Sequence, residues 1–248
     1  MEAWLGAARA PRRWQVEALP LVLDACRARR RPLVSAVMGA GKSILMAELA
    51  ALALPGSGGR AVVLSAPTQR LVRQLSATVA ERVGSLWSVG RYYADEHDAA
   101  ADVVVACNDS LPALAEALRG RRCALTVLDE AHRSQVEGVL GAVRALAPAA
   151  LIGFTATPFR SLPHESLELY DVLAYHYDLE RAVVDGCLVP PRVVRWEGLD
   201  PERLDEACLE MIRRHAQGPG IVSATGIEDA ERYAAWLSER GVSAAAIH

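Results

Sequence analysis

Short continuous apolar runs alternate along this chain with longer stretches in which apolar residues recur every third or fourth position. Five runs stand out: Leu33-Val34-Ser35-Ala36-Val37, Ala61-Val62-Val63-Leu64-Ser65-Ala66, Val103-Val104-Val105-Ala106, Leu125-Thr126-Val127-Leu128 and Leu151-Ile152-Gly153-Phe154. Their length predicts strands, and the lack of polar alternation predicts strands covered on both faces. Pro11 opens a helical stretch reaching about residue 29, which Pro20 is expected to divide into two helices. Good helix formers fill 44–54 until Pro55 and Gly56-Ser57-Gly58-Gly59 stop them. Leu71, Leu75 and Val79 form an every-fourth-residue stripe after Pro67-Thr68, and 112–118 and 136–146 read as further helices. Buried strands alternating with helices predict an α/β fold, a parallel sheet flanked by helices. In such sheets ligands gather at the carboxyl ends of the strands.

Beyond Leu188-Val189-Pro190-Pro191 the pattern changes. Residues 204–215 and 227–240 read as helices, the second with Ile227, Ala230, Ala234 and Leu237 on one face, while 220–223 and 242–247 read as strands. This is the opening of a second α/β unit, which reaches His248 before a sheet of its own size closes. The expected organisation is a first domain at 1–189, a linker at 190–202 and an incomplete second lobe at 203–248.

Composition adds limits. At 248 residues and 52% apolar content the chain can bury a sizeable core, and its mean hydropathy of +0.13 fits a compact soluble protein. No apolar run is long enough to span a membrane, and Met1-Glu2-Ala3-Trp4 lacks the features of a secretion signal. Five cysteines without a Cys-x-x-Cys pair read as reduced residues, so a cytoplasmic location is expected. A net charge of −3 gives no global sign of nucleic acid. Arginines cluster at 27–31, 70–73 and 119–122, and each cluster reads first as a solvated helix end.

The chemistry concentrates where the runs end. The first breaks into Met38-Gly39-Ala40-Gly41-Lys42-Ser43 and then into a helix. Glycines 39 and 41 permit backbone conformations that turn successive N–H groups, including that of Ala40, inward around a phosphate, and the following helix adds its positive end. Lys42 is placed to reach the β- and γ-phosphates of a nucleoside triphosphate and the Ser43 hydroxyl to ligate Mg²⁺. Lys42 is the sole lysine in the chain, where arginine serves every other strongly basic position. A solvated charge could equally be arginine, whereas a phosphate cradle favours the compact ammonium. The first glycine of the general phosphate-loop pattern is here Ala36.

The fourth run leads into Asp129-Glu130-Ala131-His132. An acidic residue at that strand end holds Mg²⁺ in phosphate-loop ATPases and a second orients water, which assigns Asp129 to the metal and Glu130 to the base. Thr155-Ala156-Thr157-Pro158-Phe159-Arg160 ends the fifth run, and Ala66-Pro67-Thr68 the second. Alone, each of these is an ordinary strand end or helix cap.

Taken in order, Arg12-Arg13-Trp14-Gln15, Ala36 to Ser43, Ala66-Pro67-Thr68, the Asp-Glu-Ala-His sequence and Thr155-Ala156-Thr157 resemble superfamily 2 helicases and translocases. Thr-Ala-Thr-Pro-Phe-Arg and Gly186-Cys187-Leu188-Val189-Pro190 look most like the branch of type III restriction enzyme motors and related DEAH-type DNA helicases. The resemblance covers about residues 11–248. It implies a RecA-like fold, ATP with Mg²⁺, and Arg12 and Gln15 near the adenine with Trp14 beside them. It implies a nucleic-acid face at Pro67, Thr68, Arg70 and the turn holding Asn108 and Ser110. His132, Thr155, Thr157 and Arg160 would couple the two sites. The family's arginine finger lies in its second RecA-like domain, past the point matching His248, so none of the residues present is assigned that role.

The expected activity is that of an ATP-dependent nucleic-acid motor, with DNA preferred over RNA, no membrane partner, and a larger complex or nuclease partner compatible with it. The rival readings are a nucleotide-gated DNA-binding module that never separates strands and a phosphate-loop kinase. The kinase predicts a small-molecule acceptor pocket and leaves Thr-Ala-Thr-Pro and the DEAH sequence unexplained.

Overall fold

A computed structural model describes residues 10–133, 137–158, 169–193, 204–215 and 218–247. The chain divides into two compact units after Pro190.

The first unit is built on one sheet. Its strands are β1 (Pro32–Ala36), β2 (Ala61–Ala66), β3 (Val89–Tyr93), β4 (Glu96–His97), β5 (Val103–Cys107), β6 (Cys123–Leu128), β7 (Ala150–Thr155) and β8 (Val172–Tyr177). They lie in the order β4-β3-β5-β2-β6-β7-β1-β8, parallel throughout except for the antiparallel β3–β4 pair. Helices α1 (Arg13–Arg27), α2 (Lys42–Ala53) and α3 (Gln69–Val83) share one core with Val34, Val62, Leu64, Val103 and Val105. Helices α4 (Leu111–Ala117) and α5 (Glu137–Leu146) share another with Leu33, Ala61, Val63 and Val104. Successive strand residues thus enter opposite cores, which is why the runs are apolar without alternation. Gly153 sits in β7 because Tyr170 crosses it: a Cβ there would come within 2.4 Å of the tyrosine ring.

Four expectations are modified. Pro20 does not divide the first helix; α1 is continuous, and Pro20 is exposed, so its ring projects into solvent. The buried face of α3 is Val72, Leu75, Ser76, Val79 and Val83, and Leu71 stays 37% exposed. A strict four-residue spacing drifts about 40° per step on a helix, so the stripe turns away from the core at its first member. Strand β8, Val172-Leu173-Ala174-Tyr175-His176-Tyr177, is not among the predicted strands; it lies at the sheet edge, and of its residues only Tyr177 is fully buried. In the second unit, α7 (Leu204–His215) and α8 (Ile227–Glu239) form as expected, preceded in chain order by the short α6 (Leu179–Val184) of the first unit. The expected strands at 220–223 and 242–247 do not form, and Ile221 and Ile247 are almost fully exposed. An extended segment becomes a strand only when a neighbour pairs its backbone.

Candidate functional site

Because β1, β2, β5, β6 and β7 are parallel and adjacent, their carboxyl ends form one edge, and every run-end motif lies along it. From β5 to β1 the edge crosses four strand spacings, about 19 Å. Asn108 and Ser110 follow β5, Pro67, Thr68 and Arg70 follow β2, Asp129 to His132 follow β6, Thr155 and Thr157 follow β7, and the glycine-bearing loop follows β1.

The loop is gripped from outside by α1. Arg12 Nη1 donates to Gly39 O (2.8 Å), Trp14 Nε1 to Ala40 O (2.9 Å) and Gln15 Nε2 to Gly41 O (2.8 Å). Three successive loop carbonyls are thus turned outward onto α1. Gly41 has φ +91°, and a Cβ on it would sit 3.1 Å from Gln15 Nε2, so both conformation and space require glycine. Gly41 is also the residue preceding α2 and offers no side-chain cap, leaving the first N–H groups of that helix for an anion. Lys42 Nζ donates to Ala36 O (3.1 Å), and Ser43 is half-buried at the same helix start.

Across from the loop, the Asp129 carboxyl is pushed above its usual range by burial, with the Lys42 ammonium pulling the other way. The two groups sense each other although the strands they follow, β1 and β6, are separated by β7. Asp129 N donates to Ser65 O (3.1 Å) of β2, and Asp129 Oδ1 accepts from Glu130 N (3.0 Å). Glu130 has φ +50°, in the left-handed region that residues bearing a Cβ seldom occupy. Strain of this kind persists only where neighbours hold it, and it concentrates at working sites.

His132 joins β6 to β7: its Nδ1 lies 3.3 Å from Glu130 Oε2 and 3.2 Å from Thr155 Oγ1. Thr155, fully buried, also accepts from Thr157 N (3.1 Å). Glu130, His132, Thr155 and Thr157 therefore form one connected set. On the other side of Asp129, Thr68 Oγ1 caps α3 by accepting from Leu71 N (3.3 Å), and Arg70 is exposed. Asn108 is 9% exposed with its Oδ1 buried and unpartnered among the described residues. Arg160 lies outside the described residues.

Glu17, Tyr175 and Tyr177 carry no motif signal, yet they support the motif residue Trp14. Trp14 is 1% exposed and stacks on Tyr177 (5.3 Å between centroids) and Tyr175 (6.3 Å) of β8. Tyr175 donates to Glu17 (2.5 Å), and its hydroxyl is pushed up to about 12 by burial and by that carboxylate. Tyr177 O accepts from Val37 N (3.0 Å), and Leu188 packs 3.1 Å from the place a Gly39 Cβ would occupy. Only the sheet order, with β8 beside β1, brings these residues to the loop.

The sequence matches the family described as "Type III restriction enzyme, res subunit" over residues 9–160. No curated protein matches it significantly. Among solved structures it is similar to S. cerevisiae Dbp5 bound to RNA and ADP BeF3, with 16% identity, 94% of this chain and 62% of that chain covered, and a TM-score of 0.69. It is similar to the Pyrococcus furiosus Hef helicase domain (22% identity, 93% and 53% covered, TM-score 0.55). It is also similar to the Type ISP restriction-modification enzyme LlaGI in complex with a DNA substrate mimic (16% identity, 85% and 23% covered, TM-score 0.59). The chain spans less than two thirds of each of these proteins. At such identities the likeness carries the fold, a RecA-like helicase domain. Among the described residues no helix is long and apolar enough to cross a membrane.

Proposed function

We propose that this chain, which belongs to the type III restriction enzyme res-subunit family and carries a superfamily 2 helicase or translocase-type ATPase domain, powers movement on DNA by hydrolysing ATP to ADP and phosphate. The observation that carries this reading is the order of groups along the sheet edge: phosphate loop, Thr155 pair, acidic pair, then Thr68 and Asn108. A kinase has no use for the connected Glu130–His132–Thr155 set between the acidic pair and the neighbouring strand, nor for the Thr68 and Asn108 ends beyond it.

In this reading the N–H groups at the start of α2 and the Lys42 ammonium hold the triphosphate; the Ala40 N–H, expected to face the phosphate, instead donates to Val37 O (3.2 Å), and Arg12, Trp14 and Gln15 fix the loop's shape from behind. The residues present fit Mg²⁺: Ser43 and Asp129 offer oxygen donors to an ion that completes its shell with phosphate and water, and Lys42 supports ionisation of the buried Asp129. Bound there, Mg²⁺ would neutralise charge developing on the phosphates. Glu130 acts as the base that orients and deprotonates water. His132 holds Glu130 against Thr155, so a shift of β7 relative to β6 alters the base's position. Pro67, Thr68, Arg70, Asn108 and Ser110 take the nucleic-acid strand. Residues 1–189 serve as the ATP-binding domain, 190–202 as linker and 203–248 as the opening of a second RecA-like lobe.

The test is ATP turnover by the natural protein with and without single-stranded DNA, duplex DNA and RNA. Stimulation by DNA above RNA is expected. Turnover unaffected by any nucleic acid, or phosphate transfer to a small-molecule acceptor, would overturn the reading.

A further inference from the structure

Two arginine clusters of the sequence, 27–31 and 119–122, have no part in the site above, yet the fold brings them to one place. The strands of the sheet start along an edge opposite the candidate site. Arg60 immediately precedes β2, Arg122 precedes β6, Ala149 precedes β7 and Arg31 precedes β1, and these strands are neighbours in that order. Backbone hydrogen bonds fix the row: Ala61 N donates to Arg122 O (2.8 Å), Ala149 N to Cys123 O (3.1 Å) and Asp171 N to Arg31 O (2.9 Å). Two cavities open along it. One, of about 830 Å³, is lined by Arg29, Arg30, Arg31 and Arg144. The other, of about 460 Å³, is lined by Arg60, Arg121 and Arg122, and Ala149 stands in the wall of both.

The charges on this edge are poorly balanced. Asp171 pairs with Arg31 (2.7 Å), and Asp102 acts electrostatically on Arg121. Arg60 donates to the carbonyls of Ser57 and Gly56, and Arg121 to those of Gly59, Ala99, Ala100 and Ala101; neutral carbonyls orient a guanidinium and leave its charge. Arg29, Arg122 and Arg144 are exposed, and among the described residues their side chains have no ion pair or hydrogen bond. Helix C-termini lie at this edge of any parallel α/β layer and favour cations, but that effect fades beyond the last turn. It accounts for Arg27 of α1 and Arg144 of α5, and not for arginines 29–31, 60, 121 and 122, which lie in the loops.

We propose that this strand-entry edge is a second nucleic-acid surface, which takes the phosphodiester backbone of a duplex without reading its bases. The inference rests on the nucleic-acid reading of the preceding subsection. The row from β2 to β1 covers three strand spacings, about 14 Å. Duplex DNA carries one charge per roughly 1.7 Å of axis, so about eight phosphate charges, four per strand, lie within that length. The guanidinium fork matches phosphate oxygens. Neither cavity is lined by an aromatic residue, whereas surfaces for single strands combine charge with aromatic stacking platforms. A duplex is therefore the committed occupant.

The experiment measures binding of a labelled duplex of about 20 base pairs to the 248-residue chain by fluorescence anisotropy across a salt series. The parent is compared with Arg29→Ala/Arg122→Ala/Arg144→Ala and with the same three positions changed to lysine. The alanine variant is expected to lose about 2.7 from the log–log salt slope, so that between 50 and 200 mM salt the parent's affinity falls roughly 40-fold more than the variant's. The lysine variant is expected to keep the parent's slope, and ATP turnover without nucleic acid to stay unchanged in both. If the alanine variant proves unfolded by circular dichroism, Arg122→Glu alone must still make the slope shallower. A parent that binds the duplex while the variants keep its slope overturns the inference and leaves an acidic protein segment as the occupant. A parent that binds neither duplex nor single strand fails the motor reading itself, and this inference with it.

Discussion

Gln15 separates two ways of serving the nucleotide, by touching its base or by holding the loop beneath its phosphates. Its side chain is 1% exposed and both ends are committed: Oε1 accepts from Arg12 N (2.7 Å) and Nε2 donates to Gly41 O (2.8 Å). Gln15→Met keeps volume and flexibility and removes both bonds, so no cavity contributes. Each bond is worth about 1 kcal/mol net, and Gly41 is half-buried, so its freed carbonyl can be hydrated rather than orphaned. The expected loss is about 2 kcal/mol, or roughly 4–8 °C in Tm for a unit of this size. Thermal unfolding by circular dichroism reads the first effect, and titration with Mg·ATP and Mg·GTP reads the second. A slackened loop weakens both nucleotides by the same factor, since the phosphates are common to them. A Tm within about 1 °C of the parent, or a loss confined to ATP, would make Gln15 a base-reading residue and refute the reasoning.

Three further outcomes are expected. Lys42→Ala should abolish Mg·ATP binding in a titration while the circular dichroism spectrum stays that of the parent, because no second lysine exists to replace the charge; binding as tight as the parent's would remove the loop from the site. Glu130→Gln should bind Mg·ATP and turn it over roughly two or more orders of magnitude more slowly, and near-parental turnover in the natural protein would move the base elsewhere. Arg31 holds the Asp171 carboxyl down from its usual 3.8 to about 2. A depressed carboxylate stabilises the fold above its unfolded pKa and ceases to as pH falls through the folded one. The stability gap between parent and Asp171→Asn, measured by denaturant unfolding, should therefore be full near pH 6 and narrow below about pH 4; a gap that stays constant towards pH 2 would deny the pair.

How much of this was legible in the chain depends on the range of the interaction. The apolar runs at 61–66, 103–106, 125–128 and 151–154 announce buried parallel strands because both faces of each must be covered, a requirement met residue by residue. Lys42 and the Asp129-Glu130 pair are legible because phosphate and metal chemistry demand those side chains immediately after a strand. The sequence alone could not bring Trp14 and Gln15 to the carbonyls of Ala40 and Gly41, residues 26 positions away. Nor could it make Tyr175 and Tyr177 the floor beneath Trp14, since a half-exposed edge segment becomes a strand only beside β1. Strand order decides the rest: His132 reaches Thr155 because β7 lies next to β6, and Arg122 meets Arg31 at one edge because β6, β7 and β1 are consecutive in the sheet. Local pattern determines which elements form and what chemistry stands at their ends; which ends meet is fixed by the burial of both sheet faces, a property no single segment possesses.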